Sequence, residues 1–290
     1  MSKIVPAPDD PGCFVVLNGE TEQSFVDPND PTRLEFEYIQ RVAEVLDVTV
    51  LARPRSEPVR VVHVGGGGFT VPRYIQAKRP GTAQTVFEPD EQLIEDVRRE
   101  LPLNGRTSIQ IRPTDGLTGM SAMAGGWVDA LIVDAFNGAQ VPAELATTTF
   151  FAEAIRLLRT DGVLIMNITD TAPFDWSKRC LAGLVQYAPN VGVIAEVPVW
   201  KGRRFGNLII VAGADIPVDA LSRQLAAAAF PQRLMGGEAL LEWLRPALPF
   251  TRADAEPSPE PNWGKTWFGP RRHKGDSIDD DSMDGSDSDV

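Results

Sequence analysis

Four consecutive glycines, Gly65-Gly66-Gly67-Gly68, follow the apolar run Val59–Val64 and precede a segment of helical spacing that begins at Thr70. Glycine at such a junction permits positive φ and lets the backbone approach a ligand closely. The helix start adds unpaired N–H groups and the positive end of a dipole. A merely tight turn needs one or two glycines; four indicate a loop shaped around a bound molecule. Glu88 closes the next predicted strand, and an acid at that edge can accept both hydroxyls of a ribose. The loop departs from the G-x-G-x-x-G pattern, so a nucleoside without phosphate fits it better than a dinucleotide. Asp115-Gly116 follows a third predicted strand and Asp134 ends a fourth, which puts three carboxylates over one crevice. They suit a ligand with amino or sulfonium groups, while Asp115 before Gly116 also reads as a turn or helix cap.

The elements that must position these residues alternate. Strands are predicted at Val59–Val64, Ala83–Glu88, Thr107–Ile111, Val128–Asp134, Gly162–Ile168, Val191–Val197 and Phe205–Val211, and helices at Thr70–Lys78, Asp90–Leu101, Pro142–Leu158 and Trp176–Tyr187. Short apolar strands separated by amphipathic helices imply a mostly parallel sheet covered on both faces. The last two strands follow one another directly and read as an antiparallel edge hairpin. The expectation is an α/β fold with a seven-stranded, methyltransferase-like Rossmann sheet and a small N-terminal β-hairpin unit. Phe14–Leu17 and the Asn18-Gly19 turn mark that hairpin, and Leu34–Leu46 carries helical spacing. Two further helices, near Val218–Ala229 and Gly237–Leu244, look peripheral. The domains divide as a β-rich unit with a helix over 1–50, a nucleoside-binding domain over 51–252, and a disordered acidic tail over 253–290.

Composition narrows the function classes. Of the net charge of −12, seven aspartates fall between Asp276 and Val290, leaving −5 on the remainder. A moderately acidic body argues against nucleic acid as the main partner, since phosphate binding needs clustered Lys and Arg. No apolar run reaches membrane-spanning length, and the N-terminus lacks a secretory pattern, so a cytoplasmic protein is expected. Cys13 and Cys180 cannot make a disulfide framework, and His63 and His273 have no ligand cluster beside them, which speaks against a metal site. Arg203-Arg204 and the run Arg271–Lys274 read as solvated charge.

A family resemblance then becomes usable. The stretch Leu17–Gln23, with Glu35-Phe36-Glu37-Tyr38, resembles the N-terminal β-domain of spermidine synthases. The likeness continues through Val64–Gly67, Phe87–Asp90, Thr114–Gly116, Leu131–Asp134 and Val141–Leu145. It covers residues 14 to 212, and the order of the motifs is more specific than any one of them. The resemblance implies a contact from Gln23 to the nucleoside, a cradle from Gly65, Gly66 and Gly67, Glu88 on the ribose, and Asp115 with Gly116 at the adenine. It makes Asp134 the base that orients and deprotonates an attacking amine, with Tyr38 on the substrate side. The implied reaction is attack of an amine nitrogen on the propyl carbon of decarboxylated S-adenosylmethionine, without a metal, in a homodimer.

Three positions depart from the family pattern. Gly68 stands where the family has an acid that holds the aminopropyl ammonium, Asn137 where it has a second amine-binding acid, and Trp200 where it has a substrate-side tyrosine. Loss of the loop acid removes a repulsion against the carboxylate of intact S-adenosylmethionine and adds room. Three readings therefore remain: an aminopropyltransferase acting on a small amine, a methyltransferase using S-adenosylmethionine and an unidentified methyl acceptor, and a non-catalytic nucleoside-binding homologue.

Overall fold

The computed structural model describes residues 2–19, 21–103 and 108–261. The chain begins with a three-stranded antiparallel sheet, β1 (Ser2–Ala7), β2 (Asp10–Asn18) and β3 (Thr21–Val26), in spatial order. The expected hairpin is β2–β3. β1 escapes a reading by periodicity because Pro6 interrupts it, and proline is tolerated there because β1 is an edge strand. One residue is inserted in β3 where Val16 pairs with Ser24 but Leu17 pairs with Glu22. This bulge at Gln23 breaks the alternation of faces. Helix α1 (Glu37–Val48) follows and buries Ile39, Val42, Val45 and Leu46.

The main body then alternates as expected: β4 (Arg60–Val64), α2 (Thr70–Lys78), β5 (Ala83–Phe87), α3 (Glu91–Glu100), β6 (Ile109–Arg112), α4 (Gly116–Ser121), β7 (Val128–Val133), α5 (Thr148–Leu157), β8 (Leu158–Asp170), α6 (Asp175–Leu184), β9 (Asn190–Glu196), α7 (Val197–Trp200), β10 (Gly206–Gly213), α8 (Val218–Ala226), β11 (Gln232–Gly236) and α9 (Gly237–Leu244). The sheet has eight strands in the order β11-β9-β10-β8-β7-β4-β5-β6, not seven. β6 through β8 run parallel. β10 inserts antiparallel between β8 and β9, so the expected edge hairpin lies inside the sheet and β11 forms the edge. Strand β11 covers one flank only and is half-buried, which leaves no apolar alternation to read.

Side chains alternate between the two faces, as a doubly covered sheet requires. Leu131 and Val133 of β7 join the core beneath α5 and α6, whereas Ala130 and Ile132 join that beneath α1 and α2. The single helix expected over 142–158 is split. A 3₁₀ turn at Ala143–Ala146 precedes α5, and the Thr147 hydroxyl caps α5 by accepting from Phe150 N at 3.1 Å. Strand order reverses between β4 and β7, which opens the crevice where such sheets take ligands. Beyond the strands, Gly65 N still donates to Phe87 O and Asp134 N to Val64 O, both at 2.9 Å. The three strand ends that carry the candidate residues are thus locked side by side.

The chain does not leave the body at 253. The indole N–H of Trp176 donates to Glu256 O at 2.8 Å, and the fully buried Ser258 accepts from Val141 N through Oγ at 2.8 Å. Residues 254–261 are therefore part of the folded body, held by polar contacts instead of apolar burial, which is why composition misplaces the boundary. The rest of the expected disordered tail, with Arg271–Lys274 and the aspartates, lies outside the described residues. Among the described residues no helix is long and apolar enough to cross a membrane. Arg204 pairs with Glu196 and is not a freely solvated charge.

Candidate active site

The glycine loop is built by exclusion. Gly65 has φ +97°, and a Cβ there would fall 2.2 Å from the carbonyl oxygen of Asp134. No side chain fits between the first glycine and the strand end that carries the acid. Gly66 turns its N–H onto Glu88 Oε2 at 2.8 Å, and Asp90 N donates to the other oxygen, Oε1, at 3.0 Å. Both oxygens of the Glu88 carboxylate are thereby fixed by backbone donors, with lone pairs left over. Below the loop, Arg73 donates through Nε to Gly68 O at 3.1 Å and through Nη2 to Leu101 O. Its burial lowers the guanidinium to about 10.

Gly68 behaves differently from the expectation. Its N–H donates to Ser24 Oγ at 2.9 Å, and a Cβ would meet Val26 Cγ2 at 2.7 Å and Val16 Cγ2 at 3.1 Å. The missing side chain points under the N-terminal sheet, not into a pocket. Loss of an acid here therefore adds no room for a larger ligand.

Asp134 lies just past β7 and is enclosed except toward the crevice. Asn167 of β8 donates through Nδ2 to Asp134 Oδ1 at 2.9 Å, and Tyr38 of α1 places its hydroxyl 3.4 Å from Oδ2. Asn207 of β10 donates in turn to Asn167 Oδ1 at 2.9 Å. Burial pushes the Asp134 carboxyl up to about 6, against the opposing pull of the Asn167 and Tyr38 hydrogen bonds. The Tyr38 hydroxyl is raised by burial and by the neighbouring carboxylate. A carboxylate poised near neutrality beside an open cavity is suited to accept a proton.

Between these two groups lies a pocket of about 560 Å³. Gln23, Tyr38, Gly65, Gly66, Gly67, Glu88, Asp134 and Asn137 all line it. Gln23 donates through Nε2 to Gly138 O at 2.9 Å, which ties the bulged strand to the loop after β7. His63 closes the floor, bonded to Gln84 Oε1 at 2.9 Å and lowered to about 4 by burial, hence neutral. Among the described residues the lining carries four carboxylates (Glu88, Asp90, Asp134 and Glu144) and no lysine or arginine.

Three expected residues stand elsewhere. Asp115 is exposed and caps α4, accepting from Thr118 N at 2.9 Å, which lowers its carboxyl. Gly116 is pressed on Val64, where a Cβ would come within 2.3 Å of Cγ1. Trp200 sits in an aromatic cluster with Phe174 and Trp243, its indole N–H on Arg233 O at 3.1 Å. None of the three lines the pocket. The structure adds Asn167 and Asn207, and the rim residues Gln140 and Pro257. Gln140 donates to Ser258 O at 2.5 Å, so the C-terminal segment completes the rim. The one signal for Asn167 was an amide within the otherwise apolar run Val163–Ile168.

No family model matches the chain. It is 29% identical over 206 residues to the polyamine aminopropyltransferase of Chromobacterium violaceum, covering 69% of this chain and 72% of that protein. Similarity to the polyamine aminopropyltransferase of Vibrio vulnificus is 26% over 163 residues, 55% of this chain and about half (52%) of that protein's length. Among solved structures, a probable spermidine synthase from Corynebacterium glutamicum superposes with a TM-score of 0.78 at 24% identity, covering 86% of this chain and 92% of that one. Human methyltransferase-like protein 13, in complex with SAH, gives 0.52 at 17% identity, covering 73% and 95%. The fold is thus that of the methyltransferase-like α/β proteins. Within that class the chain is similar to the polyamine aminopropyltransferases over 55–69% of its length.

Proposed function

We propose that the chain transfers the aminopropyl group of decarboxylated S-adenosylmethionine to a small amine and releases methylthioadenosine. The observation that carries this reading is the charge of the pocket: four carboxylates and no lysine or arginine among the described residues that line it. A donor bearing a sulfonium and an ammonium gains from every one of them. A carboxylate on the ligand, as in intact S-adenosylmethionine, would meet the same acids without a basic partner. Each such encounter favours a cationic group on the ligand and disfavours a carboxylate. Family relatives named as polyamine aminopropyltransferases support the same choice.

In the proposed reaction Glu88 accepts from the ribose hydroxyls and the amides of Gly65–Gly67 bound the nucleoside. The acceptor nitrogen attacks the propyl carbon, a C–N bond forms, and the C–S electron pair leaves on the neutral thioether. Asp134 takes the proton from the nitrogen, Tyr38 and Asn167 holding its carboxylate in line. Positioning and proton removal supply the catalysis. Gln23 turns one amide N–H onto Gly138 O, and its side-chain carbonyl has no hydrogen-bond partner among the described residues.

Calorimetric titration of the full chain with methylthioadenosine, decarboxylated S-adenosylmethionine and S-adenosylmethionine tests this. The expected order places the decarboxylated donor about tenfold or more ahead of the intact one, with amine-dependent release of methylthioadenosine. Tighter binding of intact S-adenosylmethionine would overturn the reading.

A further inference from the structure

One wall of the pocket is the loop 135–144 that follows Asp134, and its Ala135, Asn137, Gln140 and Pro142 line the cavity. Among the described residues no strand pairs with it. Its own backbone bonds are a two-rung bridge, Asn137 N donating to Gln140 O at 2.9 Å and Gln140 N to Asn137 O at 3.3 Å. Backbone with so few bonds opens at low cost unless something distant holds it.

Ser258 does so from 117 residues further along the chain. Its Oγ accepts from Val141 N at 2.8 Å, and its own N–H donates to Val141 O at 3.1 Å. Its carbonyl oxygen accepts from Gln140 Nε2. The hydroxyl, the amide and the carbonyl of one serine are thus all turned on two residues of the wall. Ser258 is fully buried, and Thr169 of β8, also fully buried, stands with Oγ1 3.4 Å from its Oγ. Two residues earlier, Glu256 O takes the indole N–H of Trp176 on α6. Pro257, between these two anchors, reaches the cavity.

Resting on the reading of this cavity as the donor site, we propose that Ser258 is a positioning residue that holds the wall 135–144 in its binding-competent shape. Val141 is buried, and away from Ser258 Oγ its N–H can bond only to water, which it reaches when the loop moves outward. Without the hydroxyl, folded chains divide between a closed wall with an unpaired donor and an open wall with a hydrated one. The affinity for a ligand then falls with the fraction that stays closed. Ser258 touches no reacting group, so its loss weakens binding and leaves the rate of the saturated protein in place.

The test titrates methylthioadenosine into the full chain as wild type, Ser258→Ala and Thr169→Val, and follows amide hydrogen exchange over 135–144 in the same ligand-free proteins. In Ser258→Ala, affinity should fall about tenfold, as for one buried donor left unpaired. Exchange over the wall should rise, and KM for decarboxylated S-adenosylmethionine should rise in step with Kd while kcat is retained. Thr169→Val keeps the side-chain shape and removes the hydroxyl beside Ser258 Oγ, so it should give the same pattern at smaller size. It carries the test by itself if Ser258→Ala does not fold. Unchanged affinity and unchanged wall exchange beside a lowered melting temperature would make Ser258 a support of stability alone and overturn the proposal. A wild type that does not bind methylthioadenosine would instead strike the donor-site reading. Exchange over 135–144 then decides Ser258 separately, and no rise in Ser258→Ala overturns the proposal.

Discussion

The two ends of the pocket are made in opposite ways. At the end proposed for the nucleoside, the loop 65–68 and the turn 88–90 supply backbone N–H groups, and one carboxylate, Glu88, takes two of them. Here the residues that matter are small or adjacent in sequence, and their positions follow from the strand ends. At the end proposed for the amine, Asp134 is held by side chains from α1 and β8, the latter oriented by β10, and its contact with Tyr38 spans 96 residues of chain. The first end depends on what cannot be added, the second on what cannot be removed. Such a division separates the backbone-built end, where Gly68 faces the N-terminal sheet and not the pocket, from the side-chain-built end, where Asn137 joins Asp134 in the lining.

The largest expected effect comes from breaking the amine end at its centre. Asp134→Asn should lower turnover about 10²–10⁴-fold and leave methylthioadenosine affinity unchanged. It should also raise stability. The Asp134 carboxyl sits at about 6 in the folded chain against an ordinary 3.8, so the folded state binds its proton more tightly than the unfolded one. Wild-type stability from this group is present below pH ~4 and is lost as pH rises through about 6. At pH 7 the cost is at most about 3 kcal/mol. The asparagine variant avoids it and should be about 1–3 kcal/mol more stable at pH 7, the gap closing toward pH 4. Denaturant melts at the two pH values check this, and a variant less stable at pH 7 would make Asp134 a structural anchor.

A middle-sized effect should stay confined to the other end. Glu88→Gln keeps one acceptor but sets an amide N–H against a backbone donor, Gly66 N or Asp90 N. Methylthioadenosine affinity should fall about 10–100-fold, as for loss of a hydrogen bond to a charged group. The acceptor KM should not change. If both constants move together, the two ends are not separable and the comparison fails.

The contrast also explains what could be read without coordinates. α2 falls at Thr70–Lys78 as its spacing and the glycine loop before it require, and Glu88 and Asp134 directly follow the apolar residues that end β5 (Val86-Phe87) and β7 (Ala130–Val133). Asp115 was equally visible at a strand end but turns to cap α4, because a short acid before a helix competes for its N–H groups. Trp200 was assigned by position in a pattern, whereas α7 carries it into a cluster with Phe174 and Trp243. Asn167 and Asn207 were hidden by the apolar strands around them. Segment 254–261 is mostly Pro, Asp, Glu and Ser, and only its partners reveal that it is seated. In each case the hidden feature depends on a partner far away in the chain.

The smallest expected effect is the sharpest test of how the amine end works. Asn167 donates to the ionised form of Asp134, which favours ionisation, while burial opposes it and prevails, leaving about 6. Asn167→Ala removes the favourable contribution and keeps the burial, so the carboxyl should move further upward by about one unit. The acid limb of kcat/KM should follow, with methylthioadenosine affinity unaffected. Glu37, on the same helix as Tyr38, titrates at about 7 because burial and a hydrogen bond with Glu196 raise it. The limb is therefore compared between wild type and variant at fixed donor concentration, so that Glu37 contributes equally to both. Asn207→Ala supplies the second arm. It leaves the Asn167 donor in place and removes only the group that orients it, so its shift should be in the same direction and smaller. Equal shifts would mean that the two amides act as one rigid unit. No shift in either variant would mean that burial and Tyr38 set the protonation of Asp134, leaving the amide chain as scaffolding between β8 and β10.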